Sequence, residues 1–350
     1  MTESYIESSI NESDEPFELP LRPSSIDSFI GQTPLKERLK VLIYAAKQRE
    51  DALGHILFSG PPGLGKTTLS HIISKSMETN IVCSSGPVLE KPGDLAGILT
   101  NLKKGDVFFI DEIHRIPKST EEYLYSAIED FTLDLLIDTG PNARSVQVKL
   151  QPFTLVGATT KSGLLSAPLR SRFSSSFRLD FYSSSVLKKI VTRSSTLMSL
   201  QIEDIASLEI AKRSRGTPRI SNNLLKWVRD YAQIHNHKKI DLETAKNALK
   251  MLSIDSLGLD EMDIRILNTI CKNFDGGPVG IQTIAIAIGE ETSTVSEVYE
   301  PYLILQGLLK RTPRGREVTK LGYEHLGIAI PKKFKSGEQN EKNMDFSSSD

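Results

Sequence analysis

His55-Ile56-Leu57-Phe58-Ser59-Gly60-Pro61-Pro62-Gly63-Leu64-Gly65-Lys66-Thr67-Thr68 is the stretch on which the fold turns. It opens as a short apolar run of the kind that forms a buried strand. The spacing Gly-x-x-x-x-Gly-Lys-Thr follows, and Leu69, Ile72, Ile73 and Met77 then recur at helical intervals, so a helix comes next. Strand, glycine-rich turn and helix in this order make a phosphate-binding loop. The glycines, Gly63 and Gly65 among them, let backbone N–H groups curl around a β-phosphate. Lys66 brings positive charge toward the β and γ phosphates, and the Thr67 hydroxyl, with Thr68 beside it, completes a Mg2+ site on bound ATP. The dipole at the helix N-terminus adds to the attraction.

Outward from the loop, Leu35, Leu39, Leu42, Ile43 and Ala46 predict a preceding helix over 35–49. Val107–Ile110 and Phe153–Gly157 read as a second and a third apolar strand, as parallel strands covered on both faces should. Strands separated by helical stretches predict an α/β domain with a doubly wound parallel sheet. Asp111-Glu112 stands at the tip of the second strand, on the sheet edge that carries the phosphate loop. Asp111 is placed to hold Mg2+ through water, and Glu112 to orient or deprotonate an attacking water. A lone acidic pair could cap a helix, but behind a phosphate loop it means nucleotide hydrolysis. Gly157-Ala158-Thr159-Thr160 ends the third strand, and a hydroxyl there, Thr159 or Thr160, can reach the γ-phosphate or cap the backbone. In Pro168-Leu169-Arg170-Ser171-Arg172-Phe173 an arginine could neutralise charge on a transferring phosphoryl group or make a surface salt bridge.

Between the second and third strands, Leu133–Asp138 and Val146–Leu150 flank the turn cluster Thr139-Gly140-Pro141-Asn142, which predicts a projecting β-hairpin over about 133–150. Leu135, Ile137, Val146 and Val148 alternate along it, so one face could pack on a partner or on its own domain. Residues 20–182 form the large domain, 183–255 a small helical domain, and 256–331 three helices closed by a short hairpin, a winged helix. The tails 1–19 and 332–350 lack an apolar period and are expected to be disordered.

Overall charge hides a split. The 43 basic and 44 acidic residues nearly cancel, but six acidic side chains and no basic one lie in residues 1–19; without them the balance moves from −1 to +5. At 39% hydrophobic and 25% charged, the composition excludes fibrous and wholly disordered chains. Cys83 and Cys271 fit neither a disulfide framework nor a zinc pattern. With no apolar run near the ~20 residues of a membrane span and an acidic N-terminus, a soluble cytoplasmic protein is expected.

Several segments together narrow the reading. Gly-Pro-Pro-Gly-Leu-Gly-Lys-Thr-Thr (60–68), Asp-Glu-Ile-His-Arg (111–115), Ile-Glu-Asp-Phe (128–131) and Gly-Pro-Asn-Ala-Arg-Ser (140–145) resemble the RuvB family of AAA+ ATPases, motors of Holliday junction branch migration. So do Gly-Ala-Thr-Thr (157–160), Arg-Gly-Thr-Pro-Arg-Ile (215–220) and Arg-Thr-Pro-Arg-Gly-Arg (311–316), in the same order. The resemblance runs from about Leu21 to Gly327. It implies a nucleotide pocket formed by Leu21, Arg22, Glu129, Asp130, Phe131, Tyr182 and the sensor Arg219. It implies that Arg172 is a finger reaching a neighbouring subunit, hence a homo-hexameric ring. It further implies that the hairpin docks a RuvA-like junction-binding protein, and that a RuvC-like resolvase joins in recombination and repair. After Arg172-Phe173 the chain reads Ser174-Ser175-Ser176-Phe177, where the family usually has a Gly-Ile-like pair.

The winged helix can be read from charge. Glu290, Glu291, Glu297 and Glu300 lie on or beside the expected recognition helix 292–299, which has no Lys or Arg, so carboxylates would meet phosphates there. Lys310, Arg311, Arg314, Arg316 and Lys320 on the wing face only Glu317. A basic wing and an acidic helix predict binding to the duplex backbone without sequence preference. By resemblance, Arg311 and Arg316 are the contacting pair, with Arg314 between them. An initiator-type switch would be expected to carry a base-reading helix, and a clamp loader would lack this wing and hairpin.

Overall fold

The computed structural model describes residues 18–136 and 145–331. Five parallel strands form the central sheet: β1 (Ile56–Ser59), β2 (Ile81–Ser85), β3 (Val107–Asp111), β6 (Thr154–Thr159) and β7 (Ser175–Arg178), in the order β2-β3-β6-β1-β7. The register sets Ile56 opposite both Val156 and Ser175, and Val107 opposite Thr154. Side chains alternate between two cores. Ile56, Phe58, Val107, Phe109, Val156 and Ala158 pack on the helices Thr33–Arg49 and Lys66–Met77. Leu57, Phe108, Ile110 and Leu155 face Pro92–Leu99 and Lys118–Glu129 on the other side. Every residue of β6 is buried, which is why this strand reads as an unbroken apolar run.

Three strands were expected, and the sheet has five. β2 and β7 are its edges, carry Ser at several positions and are only partly buried, so neither shows the apolar run of a covered strand. The departure Ser174-Ser175-Ser176-Phe177 lies at the start of β7, with Phe177 turned inward.

The inserted hairpin pairs β4 (Thr132–Leu136) with β5 (Ser145–Lys149), Leu133 opposite Val148 and Leu135 opposite Val146. Leu133 is buried at its base, Val148 is half-buried, and Val146 is 43% exposed. Ile137 and the turn cluster lie outside the described residues, as does the Leu135 side chain. Residues 1–17 and 332–350 also lie outside them; Glu18–Leu21 is one helical turn, so helix begins inside the stretch expected to be structureless.

Beyond Tyr182, the helices Ser184–Leu197, Asp204–Lys212, Pro218–Ile234 and Leu242–Met251 enclose a core that includes Val191, Ile210, Leu224, Val228 and Leu249. The last unit holds helices Glu261–Asn273 and Ile281–Ile288, then helical turns running without a break through 292–305, with a π-turn at Val295–Tyr299. The recognition helix is therefore longer than its expected span of 292–299. β8 (Leu309–Thr312) and β9 (Gly315–Val318) form the wing. A buried ion pair, Arg215 Nη1 to Asp263 Oδ2 at 2.9 Å, joins the helical unit to the winged one.

Candidate active site

Parallel strands bring their carboxyl ends to one edge of the sheet, and β3, β6 and β1 are neighbours there. Ser59, Asp111 and Thr159 end those strands, so the loops after them converge. Gly60 has φ 139°, and a Cβ there would lie 2.4 Å from the Leu179 carbonyl oxygen, so only glycine lets the loop leave β1 along this path. Gly65, with φ 101°, starts the Lys66–Met77 helix. Lys66 is 7% exposed and its Nζ donates to the Gly60 and Pro61 carbonyls at 2.8 and 2.9 Å, closing the loop on itself. Burial pulls the Lys66 pKa down to about 8, against the upward pull of Asp111 and Glu112.

The loop opens onto a cleft of about 1320 Å3. Gly63, Gly65, Lys66, Thr67, Thr68, Asp111 and Glu112 line it, as expected, with Leu21, Arg22, Tyr182 and Arg219. Tyr182 Oη donates to the Leu64 carbonyl at 3.1 Å and ties the hinge between the units to the loop. The Arg219 backbone N–H donates to the Gly63 carbonyl from the start of the Pro218–Ile234 helix. Burial pushes the Asp111 carboxyl up, and the adjacent Glu112 charge adds to the shift, against the downward pull of Lys66 and Arg219.

Of the two candidate hydroxyls, Thr159 stays off the cleft. It is fully buried, and its hydroxyl lies 2.9 Å from His114 Nδ1. Alternation along β6 turns Thr159 into the core side, and Thr160, the first residue past the strand, reaches the cleft instead. Thr160 donates to Glu112 Oε2 from its hydroxyl at 3.0 Å and from its N–H at 3.3 Å. Glu112 itself has a left-handed backbone, φ 46°, which turns its side chain back toward β6.

Glu129, Asp130, Phe131 and Arg172 do not line the cleft of their own chain. Glu129 and Arg172 meet each other: Arg172 Nη2 lies 2.7 Å from Glu129 Oε2, Nη1 donates to the Pro168 carbonyl, and the guanidinium sits 4.7 Å from the Tyr125 ring centre. Its buried Nε has no hydrogen-bond partner among the described residues. Phe131 packs edge-on against Phe153.

On the wing, Arg311 and Arg316 face each other across β8 and β9 and both grip Glu300. Glu300 is 2% exposed; Arg311 donates from Nε and Nη2 at 3.1 and 2.9 Å, Arg316 from Nε and Nη2 at 2.9 and 3.2 Å. Burial alone would push the Glu300 carboxyl up, but the two forks hold it below the usual range. Two expectations change. Glu300 does not present its charge to DNA, and Arg316, whose side chain is 17% exposed, is largely spent inside the wing, whereas Arg311 is 60% exposed and Arg314 is exposed at the turn. Glu297 is also paired, with Lys161 beside the cleft at 2.5 Å.

Sequence reasoning did not pick out Lys161, Arg193 or Arg215, all of which line the cleft. Arg215 stood in a quoted motif, but nothing local marks Arg193, whose Nη1 donates to the Leu21 carbonyl at 2.7 Å.

Family models match three successive stretches of the chain: the Holliday junction DNA helicase RuvB P-loop domain over 21–179, the RuvB AAA lid domain over 182–255, and the RuvB C-terminal winged helix domain over 256–327. A Holliday junction branch migration complex subunit RuvB from Protochlamydia amoebophila is 63% identical over 326 residues, 93% of this chain and 98% of that protein. The corresponding Chlamydia pneumoniae protein is 57% identical, over 89% of this chain and 93% of its own. The solved Thermotoga maritima RuvB Holliday junction branch migration motor superposes with a TM-score of 0.82 at 53% identity, covering 89% of this chain and all of that one.

Proposed function

The chain belongs to the RuvB family, and from that premise we propose that it is the ATP-driven motor of Holliday junction branch migration, working as a homo-hexameric ring on duplex DNA. What carries the reading is a division within the site. Lys66, Asp111, Glu112 and Thr160 share one cleft, while Arg172 and Glu129 lie off it. A subunit so built holds the triphosphate itself and takes its last cation from a neighbour.

In this reading the loop amides and Lys66 hold the β and γ phosphates, and Leu21, Arg22 and Tyr182 border the rest of the nucleotide. Glu112 draws the proton from the attacking water, Thr160 reads the γ-phosphate, and Arg219 couples the helical unit to the nucleotide's charge. Arg172 of the adjoining subunit meets charge growing on the transferring phosphoryl group, with Glu129, Asp130 and Phe131 bordering the nucleotide from the same side. The residues present fit a magnesium ion: Thr67 and Asp111 both line the cleft and offer hard oxygen donors. When bound, that ion neutralises phosphate charge. The hairpin, through Leu135, Ile137, Val146 and Val148, docks a RuvA-like partner, a RuvC-like resolvase acts on the migrating junction, and the wing meets the DNA backbone with Arg311 and Arg314, Arg316 contributing by offsetting the charge of Glu300. A cytoplasmic location goes with a chromosomal substrate; no described helix is long and apolar enough to cross a membrane.

The test is ATP-dependent dissociation of a synthetic four-way junction, with and without a junction-binding partner. Steady turnover with strand separation is expected. Nucleotide-switched DNA binding without movement would contradict the motor.

A further inference from the structure

We infer that His114 is a positioning residue for Glu112, holding its carboxylate while the Thr160 hydroxyl is engaged with the triphosphate. The inference rests on the reading of Glu112 as the group that activates water.

Two donors and an imidazole nitrogen converge on one carboxylate oxygen. Glu112 Oε2 accepts from Thr160 N–H at 3.3 Å and from Thr160 Oγ1 at 3.0 Å, and His114 Nδ1 lies 3.1 Å away. Oε1 has no hydrogen bond among the described residues, so Oε2 is the anchor and Oε1 is left for water. A threonine hydroxyl has a single hydrogen to give. Spent on a γ-phosphate oxygen, it is withdrawn from Glu112, and the carboxylate keeps only the backbone N–H and the imidazole.

His114 is built for that task. Its side chain is 6% exposed and its Nδ1 is also 2.9 Å from Thr159 Oγ1, which in turn accepts from the Lys161 N–H at 3.0 Å. Burial lowers the pKa of the ring, against the upward pull of Glu112, which favours the neutral form. With its proton on Nδ1 the ring donates to Thr159 Oγ1, and that bond fixes the same nitrogen 3.1 Å from Glu112 Oε2, so the ring cannot swing away without giving up Thr159. Thr159, one of the two hydroxyls that the sequence offered as phosphate readers, braces the histidine beside Glu112.

The experiment uses the full ring on duplex DNA and measures single-turnover ATP hydrolysis together with ATP affinity for H114A, H114N, E112Q and H114A/E112Q. H114A is expected to slow hydrolysis by about 10- to 100-fold, the scale of a misplaced catalytic group, with ATP affinity within about twofold of wild type. H114N, whose amide N–H can stand in for the ring N–H, should recover most of the rate. H114A should cost nothing further in the E112Q background. Equal losses in H114A and H114N, an added loss in E112Q, or a wild-type rate in H114A would each overturn the inference while leaving Glu112 in place. Wild-type hydrolysis by E112Q would instead remove the reading on which it rests.

Discussion

Replacing Arg311 and Arg316 together by alanine tests whether the wing offers DNA one positive charge or two. Both guanidinium groups fork onto the buried Glu300, so the three side chains carry a net +1. Binding that neutralises Z phosphates falls with salt at a log–log slope of about −0.9Z. The triad then counts as about one phosphate. R311A should flatten the slope by ~0.9, and R316A by a similar amount, because Glu300 then cancels Arg311. R311A/R316A should also flatten it by ~0.9, not by the ~1.8 of two independent contacts. E300Q/R316Q keeps +1 and should keep the wild-type slope. Stability separates the two arginines. R316A strips two charge-assisted hydrogen bonds from a carboxylate that is 2% exposed and should cost about 1.5–3 kcal/mol in melts of the winged unit; R311A, more exposed, should cost less. The assay is fluorescence anisotropy on several duplex sequences across a salt series. A double mutant that loses ~1.8 in slope, with E300Q/R316Q as weak as R316A, would refute the triad as a unit. So would a change confined to some sequences.

Lys66 makes a prediction about protons. Burial has lowered its pKa from 10.5 to about 8, and a bound triphosphate favours the charged form, so ATP binding near pH 9 should take up close to one proton. Calorimetry in buffers of different ionisation enthalpy would read this uptake, and K66M should abolish it; uptake unchanged in K66M would assign the proton elsewhere. V146E places a charge on the exposed end of the hairpin stripe and should lower affinity for a RuvA-like partner by tenfold or more while leaving ATP hydrolysis without that partner unchanged. Pull-down and ATPase assays on the same preparation would show whether the two separate.

The interior strands were legible because both faces are covered: Val107–Asp111 and Thr154–Thr159 read as apolar runs. Ile81–Ser85 and Ser175–Arg178 were not, since sheet edges keep polar residues and their place is set by hydrogen bonds to neighbours rather than by pattern. The phosphate loop is local and could be read outright, and the resemblance to the RuvB family, carried by motifs in a fixed order, is borne out by matches to all three domain models. The Glu112–Thr160 contact could not be read, because it crosses from β3 to β6 and depends on strand order. Nor could Glu300: sequence counts its charge with Glu290 and Glu291 on one helix, and only packing reveals that it faces the wing's arginines.

The seam between subunits is tested most directly by mixing two inactive proteins. K66A lacks a working phosphate loop but keeps Arg172; R172A has the loop and lacks the guanidinium. Assembled together in equal amounts on DNA, they should form intact seams in about a quarter of positions and recover a matching fraction of wild-type ATP hydrolysis. A mixture as inactive as its two parents, or R172A hydrolysing ATP at the wild-type rate alone, would contradict hydrolysis completed across subunits.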